Sequence, residues 1–399
     1  MQLLKTEIKN KVLLSMINIL DRERQSIIEA NKKDLDAFDI DDQALYDRLI
    51  VNNQKVDGMI KAVKEVMNQE DPVGQEISNE SLDNGLKIIN KTAPFGTIMI
   101  IYESRPDVTI EASVLAFKAN NKILLKGGKE AKNSNLALEK CWHEALEENG
   151  LAKDWIKLLH LKREETQEFL KNPTESIDLI VPRGGERLIK FVKDNANCAV
   201  LISGRGNNFL YVSENANWEK AKTIILNAKT DKISACNALD KVLINKNIDN
   251  YSEKLKELQE LLNQHKVEII VDEGISKKLS TIETVTDSNI WYEEFLAMKL
   301  LIGEVASINE AIEKINEFSG GHSASIISEN EEEAINFMEG VDSAAVYQNA
   351  STRFTDGGQM GVGAELAIST DKLHHRGPLG LKQLVTNKYY VFGDGHVRV

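Results

Sequence analysis

Cysteine is scarce in this chain: Cys141, Cys198 and Cys236 are the only three in 399 residues, and they lie too far apart to form a spaced zinc cluster. A small disulfide-stapled fold is therefore excluded, no metal is expected, and a reducing compartment, the cytoplasm, is the expected setting. Long apolar runs are missing as well. None approaches the roughly 20 residues that a membrane-spanning helix needs, and the opening MQLLKTEIKNKVLLSMINILDRERQ lacks a signal peptide's continuous apolar centre. It reads instead as an amphipathic helix. Positive charge is in deficit, with 49 Lys and Arg against 62 Asp and Glu for a formal charge of -13. That balance opposes broad affinity for nucleic acid or an anionic membrane and leaves only local anion pockets. Internal repeats, low-complexity tracts and an HExxH zinc motif are absent from the sequence too.

What is present is an ordinary globular composition, 42% hydrophobic and 28% charged, in a chain long enough for two or three domains. Residues 1–68 show apolar positions at three- and four-residue spacing and predict a helical apron. Pro72, Gly74 and Gly85 break the next stretch into short alternating pieces, so a hairpin or extended arm is expected over 72–91. Three strand-to-helix changes then follow, in GTIMIIYESRP, KILLKGGKEAKNSNLALEKCWHEALEENG and IDLIVPRGGERLIKFVKDN. Short aliphatic runs alternating with long helical patterns are the mark of parallel βαβ units. The alternation resumes beyond Cys236, predicting a second α/β domain. The closing NKYYVFGDGHVRV reads as strand, turn and strand.

Several residues in this frame could carry chemistry. Gly127-Gly128 and Gly184-Gly185 each follow an apolar strand and precede a helix, a place where backbone amides attract phosphate or carboxylate. Neither is a full GxGxxG fingerprint, and a glycine turn without ligand is the plainer reading of each. Cys236, in TDKISACNALDKV, is expected just ahead of a helix whose amides would stabilise a thiolate. Cys141 and Cys198 lie in regular segments and read as small buried hydrophobes. Arg353, close before the glycines of FTDGGQMGVG, is suited to a carboxylate or phosphate; His322, in a turn, reads as polar surface or as a pocket residue. His374-His375 read as a loop.

The order and combination of NGLKI, IYESRPDVT, LLKGGKEA, VPRGGE, NAKT with CNALD, VDSAAVYQNASTRF and GAELAISTDKLHHRGPLGL resemble the glutamate-5-semialdehyde dehydrogenases, or gamma-glutamyl phosphate reductases, of the aldehyde dehydrogenase superfamily over essentially the whole chain. The resemblance implies an aldehyde dehydrogenase-like α/β fold, with a Rossmann-type NADP-binding domain (1–71 and 92–235), a catalytic domain (236–373) and a β oligomerisation arm (72–91 and 382–399). It implies NADPH-dependent reduction of L-glutamyl 5-phosphate to L-glutamate 5-semialdehyde and phosphate, the second step of proline synthesis from glutamate, in a homodimer or higher homo-oligomer. Glutamate 5-kinase is a metabolic suggestion for a transient partner; no nucleic-acid or membrane partner is expected.

By the same resemblance Cys236 is the nucleophile, Lys126 meets the adenosine ribose, and the Gly184-Gly185 turn meets the pyrophosphate. Lys129 stands where many NAD-preferring relatives carry glutamate and would favour the extra phosphate of NADP(H). Glu294 holds the nicotinamide ribose, with Glu293 the neighbouring choice. Arg353 would hold the α-carboxylate or the acyl phosphate, with His322 and Ser323 in the same cleft. Two departures matter. Hydrolytic relatives carry a general-base glutamate where GRGNNFLYV stands here without a carboxylate. Asp107 replaces the asparagine common in the RPxVT motif, and a carboxylate cannot donate to an oxyanion unless protonated. Oxyanion stabilisation is therefore expected from backbone N–H groups near Cys236. The competing readings are a hydrolytic aldehyde dehydrogenase, which would turn over without phosphate, and a binding protein that retains the fold.

Overall fold

The computed structural model describes residues 2–39, 43–279, 283–285 and 287–398. The chain divides into two compact units: Met1–Ile202 with Gly361–Ala367 and Leu379–Val399, and Ser203–Met360 with Ile368–Pro378.

The first unit opens with the helices Thr6–Arg22, Arg24–Asp36, Gln43–Leu49 and Asn53–Asn68, as the apolar spacing predicts. Thr6–Arg22 buries Val12, Leu13, Met16, Ile19 and Leu20, and Asn53–Asn68 buries Val56, Met59, Ile60, Val63 and Val66, one face of each helix. Asn52 caps the latter by accepting from the Lys55 N–H. These faces belong to one core with the strands of a parallel sheet. Across that sheet the order is Ile156–Leu158, Lys122–Lys126, Thr97–Tyr102, Leu179–Arg183 and Ala199–Val200. The chain steps outward in one direction from Thr97–Tyr102, then returns to its other side with Leu179–Arg183. The carboxyl ends of these two neighbouring strands therefore mark a topological switch point, where open α/β sheets bind ligands.

The expected arm is an antiparallel sheet of Glu76–Ser81, Lys87–Pro94 and Val385–Phe392, with Val385 opposite Pro94 and Phe392 opposite Lys87. After Gly393 the chain makes its turn at Asp394-Gly395 but forms no further strand among the described residues. The last strand expected in the sequence is replaced by pairing of Val385–Phe392 with Lys87–Pro94, far away in the chain.

In the second unit, seven strands among the described residues form one sheet in the order Glu283–Thr284, Glu268–Val271, Lys299–Val305, Leu239–Asn245, Asn208–Val212, Ser323–Ile327 and Ala345–Gln348, all parallel. Leu210 and Val212 pack into one hydrophobic cluster and Phe209 and Tyr211 into another. Alternate residues of a strand point to opposite faces, so both faces are covered and the strands read as unbroken apolar runs. This unit begins at 203 rather than at 236, because Asn208–Val212 pairs with Leu239–Asn245 and Ser323–Ile327 and with no strand of the first sheet.

Candidate active site

Four neighbouring strands of the second sheet bring their amino ends together: Lys299–Val305, Leu239–Asn245, Asn208–Val212 and Ser323–Ile327. Glu294 precedes the first of these, Cys236 precedes the second, Asn208 starts the third, and His322 precedes the fourth with Ser323 as its first residue. Most of the sequence-predicted residues of this unit are therefore gathered on one sheet edge.

Cys236 is partly buried in a turn that leads directly into the strand Leu239–Asn245. The helix expected after it is absent; the strand Leu239–Asn245 follows instead. The turn is held instead by side-chain amides and hydroxyls. The Nδ2 of Asn208 donates to the carbonyls of Gly206 (2.9 Å), Cys236 (2.8 Å) and Ala238 (2.7 Å), while its Oδ1 accepts the Ser323 N–H at 3.0 Å. Thr352 Oγ1 donates to the Asn237 carbonyl at 2.8 Å, and Asn237 Nδ2 reaches the carbonyls of Arg353 (3.1 Å) and Thr355 (3.0 Å). A Cβ on Gly206 would overlap the main chain of Cys236, so glycine there allows two backbones to touch. Asn208 is fully buried and was not among the predicted site residues. The one signal for it is two consecutive asparagines at the head of an apolar run.

The other two cysteines differ. Burial pushes the Cys141 thiol up to about 12, and burial with Asp178 nearby raises that of Cys198. Both are kept protonated and poorly nucleophilic.

His322 is completely buried, which corrects its reading as polar surface. Desolvation lowers it to about 4, so its ring is neutral at physiological pH. Its Nδ1 meets Ser323 Oγ at 2.8 Å; Ser323 Oγ meets Thr355 Oγ1 at 2.7 Å, and Thr355 Oγ1 meets the Tyr347 hydroxyl at 2.7 Å. Nε2 is buried without a protein partner. Arg353 pairs through Nε with Asp231 Oδ2 at 3.0 Å, and its Nη1 is buried without a protein partner. Its guanidinium keeps donor capacity for an anion while one edge is fixed.

Asp107 belongs to the first unit, where it opens the helix Asp107–Lys118. Burial opposes its ionisation, but Arg105 and Lys55 overcome that and hold its carboxyl below the usual range. Lys55 Nζ lies 3.0 Å and Arg105 Nη2 3.4 Å from Oδ2. A carboxylate held in this way accepts hydrogen bonds and does not donate them, as a protonated acid or an asparagine would.

The remaining predicted residues stand along the carboxyl edge of the first parallel sheet. Lys126 ends one strand, and its Nζ donates to the Gly127 carbonyl at 2.8 Å; Lys129 is exposed in the short 3-10 turn that follows. Gly184 and Gly185 follow Leu179–Arg183 at the switch point and lead into the helix Glu186–Asn195. No side chain caps that helix, a Cβ at Gly185 would meet open space, and the Gly185 N–H lies 3.3 Å from Glu103 Oε2. Gly184 is crowded by Glu103 and Leu188, and the two lysines flank the other glycine pair, Gly127-Gly128, on the same sheet edge.

The Aldehyde dehydrogenase family model matches residues 10–276 and 280–365. Gamma-glutamyl phosphate reductase of Dictyoglomus thermophilum is 39% identical over 400 residues, spanning 100% of this chain and 96% of that protein. The chain belongs to the gamma-glutamyl phosphate reductase family. A crystal structure of gamma-glutamyl phosphate reductase from Thermotoga maritima is 41% identical, with a TM-score of 0.95 over 99% of this chain and 95% of its own. An acetylating aldehyde dehydrogenase from Geobacillus thermoglucosidasius, 18% identical with a TM-score of 0.68 over 99% and 94%, shares the fold. Members of the wider aldehyde dehydrogenase family use NAD or NADP. Among the described residues no helix is long and apolar enough to cross a membrane, and no group of three or more His, Cys, Asp or Glu is disposed to hold a metal.

Proposed function

We propose that this gamma-glutamyl phosphate reductase family member reduces L-glutamyl 5-phosphate to L-glutamate 5-semialdehyde with release of phosphate, the second step of proline synthesis from glutamate. The observation that carries this reading is the 39% identity to a reductase of that name across the full length of both chains. Cys236 is the nucleophile. Its thiolate attacks the acyl carbon, the bond from that carbon to the phosphate oxygen breaks, and phosphate leaves a thioester on the sulfur. A nicotinamide cofactor, when bound, supplies the hydride that reduces the acyl carbon. The carbon–sulfur bond then breaks, releasing the aldehyde and restoring the Cys236 thiolate. Asn208, Thr352 and Asn237 hold the turn so that the sulfur presents one geometry to each acyl group. Arg353 receives an anionic end of the substrate, while the fully buried His322 and Ser323 are tied to Thr355 and Tyr347 and do not meet it. The ionised Asp107 leaves oxyanion stabilisation to backbone N–H groups beside Cys236.

Run in reverse, purified protein with L-glutamate 5-semialdehyde and NADP is expected to form NADPH at least about tenfold faster with inorganic phosphate than without it. Near-ultraviolet absorbance follows the reaction. Equal rates would replace this reading with the hydrolytic one, for which GRGNNFLYV offers no base in the expected segment.

The cofactor is NADP(H) rather than NAD(H): by resemblance Lys129 stands where many NAD-preferring relatives carry glutamate, and a cation there favours the 2′-phosphate, with Lys126 and the Gly184-Gly185 turn taking the rest of the dinucleotide. Lys129→Glu is expected to lower the ratio of kcat/KM for NADP over NAD by about tenfold, equivalent to ~1.4 kcal/mol. An unchanged ratio would remove Lys129 from cofactor selection. The antiparallel sheet leaves Ile77, Tyr389, Val391 and Phe392 more than half exposed in the single chain, the composition of a homo-oligomer contact. The cytoplasm is the setting, and glutamate 5-kinase is the partner from which a labile acyl phosphate would be received.

A further inference from the structure

Lys241 is completely buried, in the middle of the strand that follows the Cys236 turn. Removing a lysine from water is costly unless its ammonium finds partners. Here desolvation brings it down to about 7, with Asp240 opposing the shift and Lys229, Glu293 and Glu294 the other charged groups that act on it. A leucine would suit the position better if packing were all that mattered.

What Lys241 touches is the segment Glu293-Glu294-Phe295. Its Nζ donates to the Glu293 carbonyl at 2.7 Å and lies 3.7 Å from the centre of the Phe295 ring. The preceding residue grips the same segment: Asp240 Oδ2 accepts the Phe295 N–H at 3.0 Å. Asp240 is fixed in turn by Lys229, whose Nζ lies 2.9 Å from its Oδ1 and 2.8 Å from the Leu239 carbonyl. A β-bulge opposite Asn208 and Phe209 makes Asp240 the extra residue of the strand, and both it and Lys241 reach the segment. Glu294 lies between the two points of attachment. Directly after Phe295, Leu296 has φ 48°, a left-handed conformation that a branched aliphatic residue keeps only where its surroundings enforce it.

We infer that Lys241, set beside the Lys229–Asp240 pair, is a positioning residue that fixes the Glu293–Phe295 backbone and thereby aims the Glu294 carboxylate at the nicotinamide ribose. This rests on the reading of Glu294 as the ribose ligand. Since Asp240 and Lys241 lie on the strand entered from Cys236, one short run of chain sets both the sulfur and the carboxylate.

The test is a binding comparison with the full chain, using NADPH fluorescence and, as a probe lacking the nicotinamide ribose, adenosine 2′,5′-bisphosphate. Lys241→Met is expected to weaken NADPH about tenfold and leave the bisphosphate within about twofold. Glu294→Gln should do the same, and the double variant should be no weaker than Glu294→Gln alone, as residues acting through one contact are non-additive. If Glu294→Gln weakens NADPH and Lys241→Met does not, the inference falls and the ribose reading stands. If Glu294→Gln leaves NADPH unchanged, the ribose reading falls and the inference with it. Equal weakening of both ligands by Lys241→Met would mean a general loss of structure and also overturns it. Should that variant not fold, Lys241→Gln keeps an N–H for the Glu293 carbonyl. NADPH affinity within about threefold of wild type then supports the inference, and parallel loss of both ligands overturns it.

Discussion

Replacing Cys236 by alanine should abolish phosphate-dependent NADPH formation, lowering kcat by at least about 10³-fold, while the fold and NADPH binding persist. The sulfur makes the one covalent bond that the proposed route requires. The other two cysteines are poor substitutes, since burial holds both as thiols and raises Cys141 to about 12. The bonds to the carbonyls of Cys236, Asn237 and Ala238 that fix the turn are made to the main chain, which alanine retains. Steady-state rates with semialdehyde and phosphate, beside a thermal melt and an NADPH titration, separate chemistry from folding. Turnover within about tenfold of wild type in a folded variant would place the nucleophile elsewhere.

The second large effect is expected from a residue that meets no substrate in the proposed route. Asn208→Ala removes the amide that serves the carbonyls of Gly206, Cys236 and Ala238 and the N–H of Ser323. Each buried polar group left without a partner costs about 1–3 kcal/mol. Some will find other partners as the turn relaxes, and a net loss of ~3 kcal/mol is expected in denaturant unfolding. The same relaxation lets the sulfur drift, and a displacement of about 1 Å costs on the order of 10²-fold in rate. Asn208→Asp keeps the acceptor for Ser323 but turns a carboxylate toward the carbonyls, so it should do no better than alanine. A folded Asn208→Ala variant with kcat within about twofold of wild type would show that the turn keeps its shape without the amide.

Much of this was legible in the sequence, and the losses have particular causes. The helices of residues 6–68 and the strand–helix alternation were readable because one-sided burial and unbroken apolar runs leave a periodic trace. The start of the second compact unit at 203 is not legible locally, because FLYV reads the same whichever sheet it joins and its partner strands are distant in the chain. The helix expected after Cys236 failed for a related reason. Leu239–Asn245 is buried on both faces and shows no period of two, and its Asp240 and Lys241 suggest solvent when both are in the core. Their partners, Lys229 and the main chain around Glu294, are invisible to local pattern. Asn208 was passed over because asparagine ahead of a strand usually signals a turn, whereas here its amide links three segments. His322 reads as surface or pocket for the same lack of tertiary information, and the structure buries it completely.

The order of the pieces along the chain has a consequence for how the molecule acquires its structure. The bond from Asn387 to Asn90 joins residues 297 apart, and the strand Val385–Phe392 pairs with Lys87–Pro94 across the same gap. Between them lies the whole of the second unit, whose main segment, Ser203–Met360, is continuous. A closure of that length is slow when the intervening chain is unstructured. Folding of Ser203–Met360 on its own seven-stranded sheet shortens the unstructured gap but leaves residues 95–202 and 361–384 between the two strands. The antiparallel sheet, which pairs strands so far apart in the chain, is therefore expected to close late in folding.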